Sequence, residues 1–437
     1  MNDIAQDLNN QILQENPYVY ELLSNLGKSL YYPKGILTQS AEANQSAYRF
    51  NATIGIAIEN GQPMFLPLIQ ETLSHYAPKD IYPYAPPAGK PELRQLWRDK
   101  MLQENPSLKD KIFSNPIVTN ALTHGLSLVA DLFVDENDPI VLPDKLWGNY
   151  NYIFGVRRGA KNITFPFYTK EGAFNTPGLK EALLFKQDHG KAVVLLNFPN
   201  NPTGYTPNEQ EAAEIVQVLR EVAEQGMNLV VVTDDAYFGL FYENSITESM
   251  FARIANIHPR ILAIKLDGAT KEDYMWGFRV GFITYASKYP AVLNALEKKT
   301  AGIIRGTISS SCHPTQTFLI KALQSSDYRT QKQVKFQLLK NKANKVKQIL
   351  EHEEYNDAWD YYPFNSGYFM CLKLKRVDAE VLRMHLLAHY GVGVISLGTS
   401  DLRVAFSCIE EQDLKHLFDL IYQGVQDLSP QNSSAKL

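Results

Sequence analysis

Several polar and small residues stand directly after short apolar runs that have the character of β-strands. Lys271 follows the run Ile261–Leu266, and Gly277, Arg279 and Gly281 come 6, 8 and 10 residues after the lysine. An open α/β sheet forms its ligand-binding crevice at the carboxyl ends of its strands. We therefore expect the lysine and the residues after it to lie at a binding site.

Two further segments close apolar runs in the same way. They are Asn197-Phe-Pro-Asn-Asn201-Pro-Thr-Gly204 and Thr233-Asp234-Asp-Ala-Tyr237. Together the three segments supply an amine, a carboxylate, a phenol and a guanidinium. These groups can act as a nucleophile, proton carriers and anion ligands.

Taken in order, the motifs Asn-Pro-x-Gly, Asp-x-Ala-Tyr and Lys followed by Gly-x-Arg-x-Gly resemble the class I and II aminotransferases of fold type I, the family of aspartate aminotransferase. The resemblance covers about residues 50–410. It implies pyridoxal 5'-phosphate (PLP) as cofactor. It also implies an α/β fold: a large domain with a mostly parallel, seven-stranded-type sheet sandwiched by helices, plus a smaller α+β domain.

The resemblance assigns catalytic roles to residues in these motifs. Lys271 matches the lysine that holds the cofactor aldehyde as a Schiff base and then carries a proton. Asp234 matches the carboxylate that keeps the pyridine nitrogen protonated; Asp235 competes for this role, but the motif spacing selects Asp234. Tyr237 and Asn201 match the donors to the phenolic oxygen.

The cofactor phosphate needs a cation and converging N–H groups. By resemblance these come from Arg279, from Thr270 and from Leu122 and Thr123, whose backbone amides open a helix predicted at 125–134. The chain departs from the family here, because Leu122 replaces a glycine and Gly268 replaces a serine three residues before the lysine. Phosphate binding is therefore expected to depend most on Arg279, Thr123 and Thr270.

Trp147 resembles the aromatic residue that stacks on the cofactor ring, and Tyr84 resembles the tyrosine that reaches the phosphate of a neighbouring subunit. The latter implies a homodimer with shared active sites.

Substrate binding is implied for four residues. Arg403 resembles the arginine that takes the α-carboxylate, Gly55 resembles the small residue of the N-terminal region near the substrate, and Asn201 is a further substrate-binding candidate. Arg305 stands where aspartate-specific members carry an arginine from the second subunit for the distal carboxylate. That match favours aspartate or glutamate as substrate, while an interface role for Arg305 stays open.

These roles imply ping-pong transamination between an L-amino acid and a 2-oxo acid. The same residues also fit a PLP-dependent lyase or decarboxylase, of the β-C–S lyase or aspartate 4-decarboxylase type, because the shared fold leaves the fate of the carbanion to local geometry. A non-catalytic PLP-binding regulator is disfavoured, since the N-terminal residues contain no credible helix-turn-helix.

The elements that must position these residues form an alternating β/α pattern. Strands are predicted at 116–119, 139–142, 192–197, 229–233, 261–266 and 278–285. A helix is expected to start at Thr206, with proline next and Glu209 completing a capping box. One long helix is predicted over 315–354, followed by strands at 368–374, 392–395 and 402–406 and helices at 379–389 and 410–423.

These patterns predict four parts of the chain. Residues 1–57 form an N-terminal arm that packs partly on the small domain, 58–310 the large domain, 311–426 the small domain, and 427–437 a disordered tail.

Composition limits the function classes. The 437 residues carry 43 Lys and Arg against 47 Asp and Glu, and this charge of −4 argues against a nucleic-acid or anionic-membrane binder. Three distant cysteines, no signal peptide and no apolar run of membrane-spanning length predict a cytoplasmic protein. His385 and His389 lie four residues apart without a metal-binding motif, so no metal is expected.

Overall fold

The computed structural model describes residues 2–31, 35–185 and 190–429. The helices are α1 Asp3–Glu15, α2 Pro17–Leu22, α3 Asn25–Ser29, α4 Ile36–Ser46, α5 Pro67–Gln70, α6 Pro78–Ile81, α7 Pro91–Glu104, α8 Ala121–Phe133, α9 Thr176–Leu184, α10 Glu209–Glu224, α11 Met250–Ile254, α12 Ala269–Glu272, α13 Pro290–Thr307, α14 His313–Gln324, α15 Tyr328–Leu350, α16 Ala379–His385 and α17 Leu414–Leu428. The strands are β1 Phe50–Asn51, β2 Ile58–Glu59, β3 Gln62–Pro63, β4 Ile117–Asn120, β5 Pro139–Pro143, β6 Lys161–Phe165, β7 Lys191–Asn197, β8 Asn228–Asp234, β9 Ile261–Asp267, β10 Val280–Ala286, β11 Trp359–Tyr361, β12 Met370–Leu374, β13 Val392–Gly393, β14 Ile395–Leu397 and β15 Asp401–Val404. Short 3₁₀ turns lie at Pro106–Leu108, Trp276–Phe278, Glu353–Tyr355, Phe406–Cys408 and Glu411–Asp413, and π-helical turns at Asn151–Val156 and Leu386–Tyr390.

A seven-stranded sheet forms the centre of the molecule, in the order β4-β10-β9-β8-β7-β5-β6. Strands β5 to β9 run parallel, and β10 is antiparallel to both of its neighbours. Strands β7, β8 and β9 are buried along nearly their whole length because both faces of a parallel sheet are covered. The predicted α/β fold with a mostly parallel seven-stranded sheet is confirmed.

Strand β6 was not predicted from the sequence. It pairs with β5 at the sheet edge, and most of its residues are partly or fully exposed. An edge strand of this kind lacks the continuous apolar run by which the buried strands are recognised.

The predicted start of helix α10 was wrong. Asn208, not Thr206, is the N-cap: its side chain accepts a hydrogen bond from Glu211 N at 3.0 Å, while Glu211 Oε2 accepts from Asn208 N at 2.8 Å. The Thr206 hydroxyl is instead paired with Ser366 Oγ at 2.7 Å. A tertiary contact therefore displaced the cap by two residues.

The predicted long helix over 315–354 was also wrong. Two helices, α14 and α15, cover this stretch, and residues 325–327 interrupt them. Helix α8 begins at Ala121 rather than at residue 125, so that Thr123 lies in its first turn. The helix predicted at 379–389 changes after α16 into a π-helical turn.

A smaller antiparallel sheet has the order β11-β12-β15-β14. The N-terminal segment pairs with the C-terminal part of the chain, because β1 forms a separate two-stranded parallel sheet with β13. Helices α1 to α4 were not foreseen in residues 1–57, where the sequence shows no clean period. The domain limits at 57, 310 and 426 stay a prediction.

Helix α17 ends at Leu428, so the prediction that residues 427 and 428 belong to a disordered tail was wrong; residues 430–437 of that tail lie outside the described residues. Among the residues that the structure describes, no helix is both long and apolar enough to cross a membrane.

Candidate active site

A cavity of about 360 Å³ opens beside the carboxyl ends of β7, β8 and β9. Residues distant in sequence meet there because parallel strands end at the same edge. The site residues predicted from the sequence that line it are Gly55, Leu122, Thr123, Trp147, Asn201, Asp234, Tyr237, Thr270, Lys271, Arg279 and Arg403. Tyr84 and Arg305 lie outside it.

Asp234 is the last residue of β8, and its carboxylate is buried in the cavity wall. Tyr150 Oη donates to Asp234 Oδ2 at 2.7 Å, and Ala236 N donates to Oδ1 at 3.1 Å. Burial raises the pKa of Asp234, while the Tyr150 bond and the charge of Lys271 act in the opposite direction. A buried carboxylate held in this way suits a cationic ring nitrogen.

Asp235 does not line the cavity. Its Oδ2 atom lies 2.7 Å from the ammonium of Lys265 and accepts a hydrogen bond from Ser249 Oγ. Because Asp235 is already paired inside the protein, the geometry favours Asp234 as the carboxylate available to a ligand.

Lys271 lies on the short helix α12, and its carbonyl oxygen accepts a hydrogen bond from Tyr368 Oη at 3.1 Å. Its Nζ atom lies 5.2 Å from the centre of the Tyr237 ring, and it donates no hydrogen bond to any residue that the structure describes. Burial lowers the pKa of Lys271 to about 8, against the pull of Asp234 and with the help of Arg279. A lysine with this pKa is partly neutral near physiological pH and can act as nucleophile or base.

The first turn of α8 and Arg279 form an anion-binding corner. No side chain caps α8, so its first amides are available, and Thr123 lies among them. The Arg279 guanidinium contacts the Trp276 carbonyl at 3.4 Å and has no carboxylate partner in the described part of the chain. Thr270 is buried beside it, with its hydroxyl 3.5 Å from the Val280 carbonyl.

The two departures from the family pattern are linked by packing. A Cβ atom at Gly268 would lie 2.5 Å from Val280 O and 2.7 Å from Gly281 Cα, so a serine does not fit without movement of β10. The same Cβ would lie 3.2 Å from Leu122 Cδ1. Leu122 therefore fills part of the space beside position 268, while the β10 backbone alone already leaves no room for a side chain there.

Arg403 projects from β15 and is only 2% exposed. Its Nη1 donates to Asn201 Oδ1 at 2.9 Å and its Nη2 to Thr53 O at 2.7 Å, while Nε is buried without a hydrogen-bond partner among the described residues. The guanidinium carbon lies 4.3 Å from the centre of the Phe369 ring. No carboxylate among the described residues pairs with Arg403, so the site lacks the anion that a buried guanidinium calls for.

Gly55 lies where a side chain would crowd the cavity. A Cβ atom at this position would lie 3.2 Å from Phe369 Cζ and 3.3 Å from Tyr237 Oη. Burial raises the pKa of Tyr237, so that its hydroxyl stays protonated and can donate a hydrogen bond. The side-chain oxygen of Asn201 accepts from Arg403, and its NH2 group donates to no residue that the structure describes.

Tyr84 and Arg305 are surface residues. Tyr84 is 93% exposed, and Arg305 lies in the last turn of α13, where it donates to Ser309 Oγ. Their predicted reach into the site of a second subunit stays a prediction.

Sequence reasoning missed several residues of the cavity wall, namely Ile36, Ala121, Tyr150, Asn197, Ala236, Trp276 and Phe369. Asn197 ends β7, and its side chain binds both Asp234 O and Asn201 N at 2.8 Å. Tyr150 follows Trp147 by three residues, and their rings meet edge to face at 5.6 Å. Position after a strand was a usable signal for Asn197, whereas nothing in the sequence marked Ile36.

These groups fit PLP by their chemistry. An available arginine and uncapped helix amides suit a phosphate, a lysine with a lowered pKa suits an aldehyde, and Asp234 suits a pyridine nitrogen. Trp147 offers a flat aromatic surface in the same cavity.

The chain matches the family model described as aminotransferase class I and II over residues 58–421. It is 25% identical over 276 residues to a probable aspartate/prephenate aminotransferase of Aquifex aeolicus, covering 61% of this chain and 65% of that protein. It is 30% identical over 217 residues to an aspartate aminotransferase of Musicola paradisiaca, covering 49% of this chain and 50% of that protein. These matches thus span half to two thirds of the length of the relatives.

Solved structures show the same fold. An aminotransferase from Anaerococcus prevotii superposes with a TM-score of 0.82 at 21% identity, over 93% of this chain and 99% of that one. A single mutant of Thermus thermophilus aspartate aminotransferase gives 0.74 at 19% identity, over 92% and 99% of the two chains.

Proposed function

The chain belongs to the class I and II aminotransferases, whose cofactor is PLP, and we propose that it moves an amino group between an L-amino acid and a 2-oxo acid. One observation carries this proposal. A single cavity is lined by a lysine with a lowered pKa, a buried carboxylate and two arginines without carboxylate partners among the described residues.

Each group then has one task. Lys271 Nζ would bind the cofactor's carbonyl carbon, Asp234 its ring nitrogen, and Arg279 with the first turn of α8 its phosphate. Trp147 would cover the ring, and Tyr237 and Asn201 would donate to its phenolic oxygen. When bound, PLP supplies an electron sink that stabilises negative charge on the substrate α-carbon.

The substrate amino acid is held by its α-carboxylate. Arg403 Nε has no hydrogen-bond partner among the described residues, and Nη1 and Nη2 each have two N–H groups but make one hydrogen bond each, to Asn201 and Thr53, so the guanidinium keeps donors for a carboxylate. With the α-carboxylate bound by Arg403, the hydrogen on the substrate α-carbon would lie beside the Lys271 amine. The amine, with a pKa of about 8, is suited to take the proton from the α-carbon and to return it elsewhere.

We propose aspartate or glutamate as the amino donor. The relatives from Aquifex aeolicus and Musicola paradisiaca carry aspartate in their names, which supports this choice. Arg305 of a second subunit would take the distal carboxylate. We also propose a homodimer, because Arg305 and Tyr84 would both reach the site of the neighbouring subunit, Tyr84 at its phosphate. The protein is further proposed to be cytoplasmic.

The reaction is tested by mixing PLP-loaded protein separately with aspartate, glutamate, alanine and an aromatic amino acid. We expect loss of the visible cofactor band, one 2-oxo acid per site and pyridoxamine phosphate, fastest with the two dicarboxylates. Lys271→Ala serves as the inactive control. Release of ammonia, sulfide or carbon dioxide without pyridoxamine phosphate would contradict transamination and indicate a lyase or decarboxylase.

Sharing of sites is tested by subunit mixing. Lys271→Ala and Arg305→Met chains are each expected to be poorly active with aspartate. After random mixing, half of the dimers contain one of each chain, and one site of each such dimer has both residues intact. Activity should therefore recover to about a quarter of the native value; no recovery would contradict a role for Arg305 across the interface.

A further inference from the structure

A buried ion triad lies behind the cavity. Lys265 on β9 is fully buried, and its Nζ atom lies 2.7 Å from Asp235 Oδ2 and 2.7 Å from Asp267 Oδ2. Both carboxylates are also buried, and Ser249 Oγ donates to Asp235. We call Asp235, Lys265 and Asp267 the sheet-end triad.

The sheet-end triad places three charged side chains in the protein interior, which is energetically unfavourable. Removing charges from water costs several kcal/mol per ion, and apolar side chains of the same volume often stabilise a fold equally well. Two carboxylates share one ammonium, and Asp267 Oδ1 is buried without a hydrogen-bond partner in the described part of the chain. Stability alone therefore does not account for this choice of residues.

The first arm of the triad holds the loop that carries two site residues. Asp235 directly follows Asp234 and lies two residues before Tyr237. The Lys265 ammonium also lies 4.8 Å from the centre of the Phe238 ring, so it contacts this loop at both ends. A backbone bond from Asp235 N to Leu266 O, 2.8 Å long, ties the loop to β9.

The second carboxylate of the triad, Asp267, lies at the start of the turn that carries Lys271. Asp267 ends β9, and Lys271 follows four residues later on α12. The two carboxylates of the triad thus belong to the two segments that supply Asp234 and Lys271. Lys265 and Asp267 lie two residues apart on β9, so the ammonium joins this strand, which leads to Lys271, to the loop of Asp235.

We propose that Lys265 is a positioning residue that fixes the separation between Asp234 and Lys271 and so sets the geometry in which the cofactor is held. This inference rests on the proposed function for the identity of the two groups. Lys265 itself does not line the cavity. Its positive charge additionally opposes the rise that burial causes in the pKa of Asp234.

Two variants separate the loss of the Lys265 contacts from the change in the net charge of the sheet-end triad. Lys265→Met leaves two buried carboxylates unpaired, whereas Lys265→Met/Asp267→Asn removes one charge of each sign and keeps the triad at one negative charge. The single variant is expected to lower Tm by about 5 °C or more, and the double variant to recover part of that loss, because Asp235 stays buried without a cation. Lys191→Met is the matched control, because it breaks an ion pair with Asp138 at the opposite end of the same sheet.

The deciding readouts need no turnover. They are the dissociation constant of PLP from the apoprotein and the pH midpoint of the visible band of the bound cofactor. The double variant should bind PLP about tenfold more weakly than the native protein and show a shifted midpoint, because small displacements of binding groups cost this much. Lys191→Met should leave both values unchanged.

A double variant with native PLP affinity and native midpoint would overturn the proposal and leave Lys265 as a neutraliser of buried charge. That result is distinct from failure of the proposed function, which would appear as absence of 2-oxo acid formation by the native protein.

Discussion

Two buried cations of this protein have opposite surroundings. Lys265, behind the ends of β8 and β9, is paired with two carboxylates at 2.7 Å. Arg403, on β15, is 2% exposed and contacts only neutral oxygen acceptors and an aromatic ring among the described residues. The difference teaches that pairing, not burial, separates a structural cation from one kept for a ligand: a paired charge joins segments, and an unpaired one binds an incoming anion.

Lys271 differs from both Lys265 and Arg403. Burial lowers its pKa to about 8, so that the side chain gives up its charge more readily than an ordinary lysine. The neighbours of each residue thus decide its state: Lys265 is paired with carboxylates, Arg403 has no carboxylate partner among the described residues, and Lys271 has a lowered pKa.

Replacing Arg403 breaks the comparison most strongly. In Arg403→Met, kcat/KM for the amino donor should fall about 1000-fold, mainly through KM, because a buried charge-assisted carboxylate contact is lost. Tm should stay constant or rise, since an apolar side chain replaces an unpaired buried charge. Steady-state kinetics and calorimetry measure the two effects, and a fall in Tm like that of Lys265→Met would show that Arg403 is structural.

The pH dependence of stability sharpens the contrast with Lys271. In the apoprotein its pKa is about 8 instead of the ordinary 10.5, so between these values the unfolded chain binds more protons at this residue. The free energy of unfolding therefore gains a contribution as pH rises from about 8 to 10.5, and loses it as pH falls through 8. Apo Lys271→Met should be more stable than the native protein at pH 7, with the difference closing by pH 10.5.

Calorimetry of both apoproteins across this range checks the sign. Lys109→Met, which replaces an exposed lysine, should differ from the native protein by a constant amount. A constant difference for Lys271→Met as well would contradict a lowered pKa.

Gly55→Ala gives the smallest effect. The new methyl would lie 3.2 Å from Phe369 Cζ, on the ring that covers Arg403, and 3.3 Å from Tyr237 Oη. These rings must shift by a few tenths of an ångström, so KM should rise about threefold with little change in Tm. Gly302→Ala, where a Cβ meets nothing within 4 Å, is the control, and equal KM values for the two variants would place Gly55 away from the substrate.

The sequence was most informative where local order carries the signal. Apolar runs followed by polar residues predicted six of the seven strands of the central sheet, with errors of at most two residues at their ends. Strand β6 was missed because an exposed edge strand has no apolar run. The N-cap at Asn208 was missed because Thr206 is paired with Ser366 in the folded protein. The break between α14 and α15 falls at residues 325–327, where Asp327 N donates to Ser325 Oγ at 3.2 Å, and this local signal was overlooked.

By itself the sequence determined the α/β fold class, the family and the order of the residues now found around one cavity, since strand ends and motif spacing are local properties of the chain. Only the tertiary structure showed that Asp235 pairs with Lys265, that Tyr150 donates to Asp234, and that Arg403 lacks a carboxylate partner among the described residues. Burial and pairing are set by contacts between segments far apart in the sequence, and no local pattern records them.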